Sequence, residues 1–282
     1  MEYLNFNAFY LGTLLFACLY ISNLVYSLLC IFWKIKIVEF SLFLSPWFSL
    51  YNEKIMGTKF ILGWLPLSGH IKPLGMATDD KEKLQIESKD LPNAFFNKPK
   101  YLQSLFRSVP WIIYLLALVI SISVVSNSGL VNGFGDIANY VIKAFITMFS
   151  GTTEREQFIL QTKEIIDGKN IVLFGFALLV LVMLLFTPIT PILNWFSNDE
   201  NKKSKIQKII GFIGTIFIFW LMLWKIPKFV FSFFTLSQSL IYILSFFVGM
   251  FFVGLIFFFA TLFVVKSISQ NLNYNNLEKD DK

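Results

Sequence analysis

The chain has 282 residues, 56% of them hydrophobic and 34 of them Phe, with a formal net charge of +6 at pH 7. That is too apolar for a water-soluble domain and fits a protein that crosses a bilayer several times. The positive charge excludes little by itself. Its basic residues are interleaved with acids between Asp79 and Glu87, and no nucleic-acid-binding motif is present, so no nucleic-acid partner is expected.

A helix that spans a bilayer needs roughly 20 apolar residues. In chain order the qualifying segments are 9–33, 109–125, 171–186, 209–224 and 240–265. The third and fourth are short for a full crossing. Segment 9–33 has no basic stretch before it and its apolar run is long and aromatic, which reads as a retained span rather than a cleavable signal. Cys18 and Cys30 lie on that one predicted helix, about 18 Å apart along its axis, too far to pair. They read as small buried apolar residues.

Residues 37–76 follow. Lys59, Ile61, Gly63 and Leu65 alternate with Phe60, Leu62 and Trp64, and Gly and Pro stand at the ends, so the stretch is expected to form a β-hairpin. Residues 77–97 are charged and turn-rich. An amphipathic piece at 137–148 is expected to lie at the membrane surface. Pro188 and Pro191 interrupt the third span, Trp195, Trp220 and Trp224 stand near span ends as interfacial aromatics do, and the polar residues 267–282 are expected to be disordered. Eighteen of the 24 Lys and Arg fall in alternate compartments: after span one, between spans three and four, and in the tail. The positive-inside rule then places the N-terminus outside and the C-terminus in the cytoplasm. The expected fold is an all-α polytopic membrane protein of about five transmembrane helices with a small cytoplasmic-side β-hairpin.

Several motifs occur in an order that points to a family. Gly57–Gly75 reads GTKFILGWLPLSGHIKPLG; Lys36 to Ser41 reads KIVEFS; Lys98-Pro99-Lys100-Tyr101 runs on to Pro110; Ser150-Gly151 follows; and Phe186 to Asn194 reads FTPITPILN. Lys205-Ile206-Gln207, Ile210-Gly211 and Leu221-Met222 complete the series. From about residue 11 to 228 this order resembles the site-2 proteases, intramembrane zinc metalloproteases. The matching pieces there are a Pro-Leu-Gly-Gly turn, Val-Glu-x-Phe-Ser, Lys-x-x-Trp-Gln-Arg, Ser-Gly-Pro and an Asn-Leu-Leu-Pro-Ile-Pro-x-Leu-Asp element. The resemblance implies a membrane core over residues 1–230, an additional span within 231–266 and a tail over 267–282, in a bacterial inner membrane.

It also implies where chemistry would stand. The family's His-Glu-x-x-His motif places two ligands on one helix face with a general base between them, and a distant Asp completes the zinc site. A gapless count puts these roles on Ser22, Asn23, Tyr26 and Asn194. Neutral hydroxyls and amides are poor zinc ligands beside imidazole and carboxylate, and an amide cannot take a proton from water. His70, the one histidine, sits in the turn and not in the motif. The chain is therefore expected to be a pseudoprotease without metal or other cofactor.

What the frame retains is a strand beside the degenerate site. The expected partners, besides the lipid bilayer, are other membrane protein subunits or a peptide segment. Lys59, Phe60, Ile61, Leu62, Gly63 and Trp64 are the expected strand edge for an extended peptide. Gly249 and Gly254 are the expected point of close approach for a partner helix. The alternatives are an active intramembrane metalloprotease with unconventional or partner-supplied ligands, and a transporter or channel component. The lack of acidic residues in the spans counts against ion coupling.

Overall fold

The computed structural model describes residues 4–76, 86, 88–125, 129–166, 171–186, 212–214, 216, 217 and 219–280. These residues are mostly helical with one small mixed sheet. The helices are α1 (Phe6–Phe32), α2 (Lys100–Val125), α3 (Leu130–Phe149), α4 (Thr152–Ile166), α5 (Ile171–Phe186), α6 (Ile226–Phe231) and α7 (Leu236–Asp280). Three of them contain stretches long and apolar enough to cross a membrane: Phe6–Phe32, Lys100–Val125 and Leu236–Gln270; Ile171–Leu184 is apolar but shorter. The chain is a membrane protein by that measure. The expected span at 209–224 is described only from 212 onward and in part, and it ends in a π-helical turn, Leu221–Lys225, that leads into α6. The amphipathic piece at 137–148 lies within α3. Helix α7 continues to Asp280, through the polar residues that composition alone marks as disordered.

The strands are β1 (Ile37–Leu44), β2 (Tyr51–Ile55), β3 (Thr58–Leu62) and β4 (Leu65–Pro73), in the spatial order β2-β3-β1-β4. β2 and β3 form a tight hairpin. Its two turn residues, Met56 and Gly57, both have positive φ (48° and 83°), which matches the right-handed twist of the strands. The single hairpin expected from the alternation at 59–65 is thus one part of a larger sheet. β1 inserts between β3, to which it is parallel, and β4, to which it is antiparallel. The reason lies in β1 itself. Phe40, Ser41, Leu42 and Phe43 are all buried, so it carries no inside–outside alternation and needs cover on both faces and both edges.

The chain divides into two compact units: Gly12–Ile113 with Phe247–Lys282, and Met1–Leu11 with Tyr114–Phe246. The first holds the sheet. Within it α1 is closed by Lys34, two residues past its end, whose φ is 53°; Lys34 N–H donates to Ile31 C=O and Ile35 N–H to Cys30 C=O. This left-handed cap reverses the chain into β1, which runs back along α1. By Phe43 it has reached the middle of the helix, where the Phe43 ring lies 5.0 Å from that of Phe16. α7 passes the same place, with Phe251 stacked on Phe43 at 5.3 Å. Thr13 Oγ1 donates to Gly249 C=O (3.5 Å), and Tyr20 stacks on Phe257 (4.4 Å) and hydrogen-bonds Thr261. Partner numbers on α7 rise with those on α1, so the two helices are parallel.

In the second unit, Met148, Phe158, Leu221 and Phe229 form a core joining α3, α4, the π-turn and α6. Tyr140 on α3 shares a hydrogen bond with Thr162 on α4 (3.0 Å).

Candidate functional site

The residues at the degenerate zinc positions lie on one stretch of α1. Ser22 and Tyr26 are buried and Asn23 is half-buried. The four-residue spacing puts Ser22 and Tyr26 on one face, as it would two ligands. Tyr26 is committed to structure. Its O–H donates to Met76 Sδ (3.1 Å), and its ring meets Phe106 edge-on at 4.9 Å. Phe106 is fully buried and also touches Trp33 and Phe95. Asn23 faces the sheet. A Cβ added at Gly69 of β4 would stand 3.1 Å from Asn23 Nδ2 and 2.8 Å from Leu42 Cδ2. The side-chain-free Gly69 is what lets the Asn23 amide approach the strand. Asn194, the fourth position, lies outside the described residues.

His70 stands on β4 opposite Ser41 and pairs Nε2 with Glu39 Oε1 at 3.0 Å across β1, on the exposed side of the sheet. Among the described residues no three of His, Cys, Asp and Glu gather closely enough to hold a metal ion.

The strand edge is not where the sequence placed it. Lys59 to Leu62 belong to β3, which has β2 on one side and β1 on the other. Every main-chain group of an interior strand meets a neighbour, so Lys59, Phe60, Ile61 and Leu62 offer no edge for strand addition. Gly63 N–H donates to Leu42 C=O (2.8 Å) and Trp64 N–H to Leu44 C=O (3.2 Å). The edges are β2 and β4. β2 is flanked by α7: the Tyr51 ring meets Phe258 at 5.6 Å, and Glu53 accepts from Tyr51 O–H and from Lys266 Nζ (2.9 Å). The Tyr51 hydrogen bond, aided by that of Lys266, holds the Glu53 carboxyl below the usual carboxylate range. β4 over residues 65–71 pairs with β1 on one side and with no described strand on the other. Sequence alternation did not distinguish β3 from β4, because both follow the same hairpin-like pattern. The signal that could have done so is the pair Pro66 and Pro73, since proline is confined to edges and strand ends.

Gly249 and Gly254 also have other work. Both are buried. Gly249 receives the Thr13 hydrogen bond, and the space a Cβ would need at Gly254 is filled by the rings of Phe43 and Phe16. The close approach expected for a partner subunit is made by α1 and β1 of the same chain. Phe43 reaches this seat through a register irregularity between Leu42 and Leu44, with φ at 65°. A bulge of this kind turns two successive side chains, Leu42 and Phe43, into the interior.

At the far end of the sheet Trp64 stacks on Trp47 (5.5 Å) and Phe48 (5.9 Å). Trp47 is 82% exposed, and the apolar tip it forms continues through Phe48, Leu44 and Leu50.

No protein-family model matches the chain, and no curated protein matches it.

Proposed function

We propose that the chain is a non-catalytic membrane subunit or regulator built on the site-2 protease frame, which binds an extended polypeptide segment along the outer edge of β4. The observation that carries this reading is the contact of the Asn23 amide with Gly69. It sets an edge strand directly beside the stretch of α1 where the resemblance places the lost zinc motif. Strand addition uses main-chain hydrogen bonds and needs neither metal nor base. The outer edge of β4 pairs with no described strand, and such an edge presents main-chain groups that an added segment satisfies.

Photo-crosslinking in native membranes tests this. A photoreactive residue at Leu67 or His70, both exposed on β4, is expected to give a discrete adduct with a membrane polypeptide. The same residue at Ile31, exposed on α1, should not. Equal adducts at all three sites, or none on β4, overturn the proposal. Stoichiometric zinc in the purified protein, lost on His70→Ala and accompanied by peptidase activity, would overturn its non-catalytic half.

The same reading places the N-terminus outside and the sheet and C-terminus on the cytoplasmic side. The parallel run of α1 and α7 supports an odd number of crossings, so 171–186 and 209–224 either both cross or neither does. With Cys18 and Cys30 replaced, single cysteines at Lys83 and Glu278 are expected to resist an impermeant thiol reagent in intact cells. Labelling of either from outside reverses the orientation.

A further inference from the structure

Six of the 24 Lys and Arg fall outside the three basic compartments: Lys143, Arg155, Lys163, Lys169, Lys225 and Lys228. Three of these six line one cavity. Arg155 comes from α4, Lys225 from the π-turn and Lys228 from α6, and the apolar wall is Met148, Trp224 and Phe229. Like charges do not gather without a cause, since each raises the cost of bringing in the next. The π-turn helps bring them together: its wide turn precedes α6, and Lys225 and Lys228, three apart, lie along one face.

No carboxylate among the described residues relieves them. None of the three forms an ion pair with a described residue. Glu154 and Glu156 flank Arg155 in sequence, but adjacent helix positions point apart, and both are exposed. Lys225 Nζ is held instead over two rings, 5.1 Å from the centroid of Phe149 and 5.5 Å from that of Trp220. The Arg155 Nε–H is shut away from solvent and has no acceptor among the described residues. A buried donor without an acceptor is uncommon and points to a missing partner. The cavity, about 60 Å³, has room for several waters, each needing roughly 10–15 Å³ on this measure.

We propose that this cavity binds a phosphate group. A single carboxylate would be satisfied by the arginine fork alone. Three cationic side chains around one small cavity match an oxyanion with several acceptor oxygens. Trp220 and Trp224, beside the basic residues, are the residue type that marks the headgroup layer, where a phosphate is carried by lipid; free phosphate presents the same chemistry. The proposal is independent of the sheet edge and stands whether or not β4 binds a peptide.

The test uses the full chain in nanodiscs of phosphatidylcholine at fixed ionic strength. In one arm inorganic phosphate is titrated and thermal unfolding followed. In the other, phosphatidylglycerol is added to the discs and retained lipid is counted by native mass spectrometry. Saturable stabilisation in the first arm assigns the site to the free anion, and selective retention in the second assigns it to the headgroup. Arg155→Gln and Lys228→Gln are each expected to weaken the binding by roughly tenfold, the loss of one charge-assisted hydrogen bond. Lys228 is exposed, so its variant carries the test even if Arg155→Gln fails to fold. Absence of saturable binding in both arms, or binding by Lys228→Gln equal to that of the unaltered chain, overturns the assignment.

Discussion

Gly254→Leu is expected to unfold the sheet-bearing unit in mild detergent. A side chain there would overlap the ring of Phe43 and press on Phe16, and both rings are almost wholly buried. Neither can withdraw. Phe43 is fixed by its bulge and by the stack with Phe251, and Phe16 by its place in the middle of α1. Overpacking of a closed core costs about 1–3 kcal/mol and occasionally more. With two immobile rings in the way, about 3 kcal/mol is expected, roughly a 100-fold fall in the folded-to-unfolded ratio. The measurement is the protease resistance of residues 12–113 together with the melting temperature. Gly135→Ala is the control. Nothing lies within 4 Å of a Cβ there, and the substitution should be neutral or slightly stabilising, since glycine weakens a helix interior. If Gly254→Leu melts as the unaltered chain does and instead loses a partner, the glycine faces another subunit and the packing described above is wrong.

Ile61→Pro should be the other severe change. Ile61 is buried in an interior strand, opposite Asn52 on β2 and Ser41 on β1. Whichever way its N–H points, a strand stands there to receive it. Proline removes the donor, leaves an acceptor unpaired at about 1–3 kcal/mol, and forfeits about 1–2 kcal/mol of buried aliphatic surface. The loss should appear as aggregation or degradation of the whole chain. Ile61→Val, about 0.5–1.5 kcal/mol, should remain folded. A folded Ile61→Pro protein that has merely lost an interaction would return β3 to the edge of the sheet.

The membrane character of the chain was legible because it rests on composition and segment length, which need no tertiary information. α1, α2 and α7 lie on segments 9–33, 109–125 and 240–265, α2 and α7 extended by the polar residues that a hydropathy window discards. The presence of strands after α1 was legible from alternation. Their order was not. Alternation reports which face of a strand is covered and says nothing of which neighbour takes its edges, so β3 and β4 could not be ranked. β1 fell inside the expected β element but was not resolved as a strand of its own, because four successive buried residues hide its period. The glycines of α7 were read as points of close approach for a partner helix; at Gly254 that space is filled by Phe43 and Phe16 of the same chain, which sequence alone cannot say. The cluster of Arg155, Lys225 and Lys228 was invisible for a related reason: about 70 residues separate its parts, and only the packing of α4 against α6 unites them.

The seat of Phe43 sets an order of events in biosynthesis. Phe43 lies near the start of the chain, and Phe251 and Gly254, which close over it, lie near the end. About 200 residues must be translated in between, roughly 10–40 s at about 5–20 residues per second. Through that interval α1 can insert and the β2–β3 hairpin can close, but the bulged face of β1 stays bare, and β2 lacks the helix that carries Lys266. A nascent sheet with open apolar surface is liable to pair with the wrong strand, and it is also open to the right one. A chain stopped before residue 247 would lack Phe251 and Gly254 and would keep the bulged face of β1 bare indefinitely.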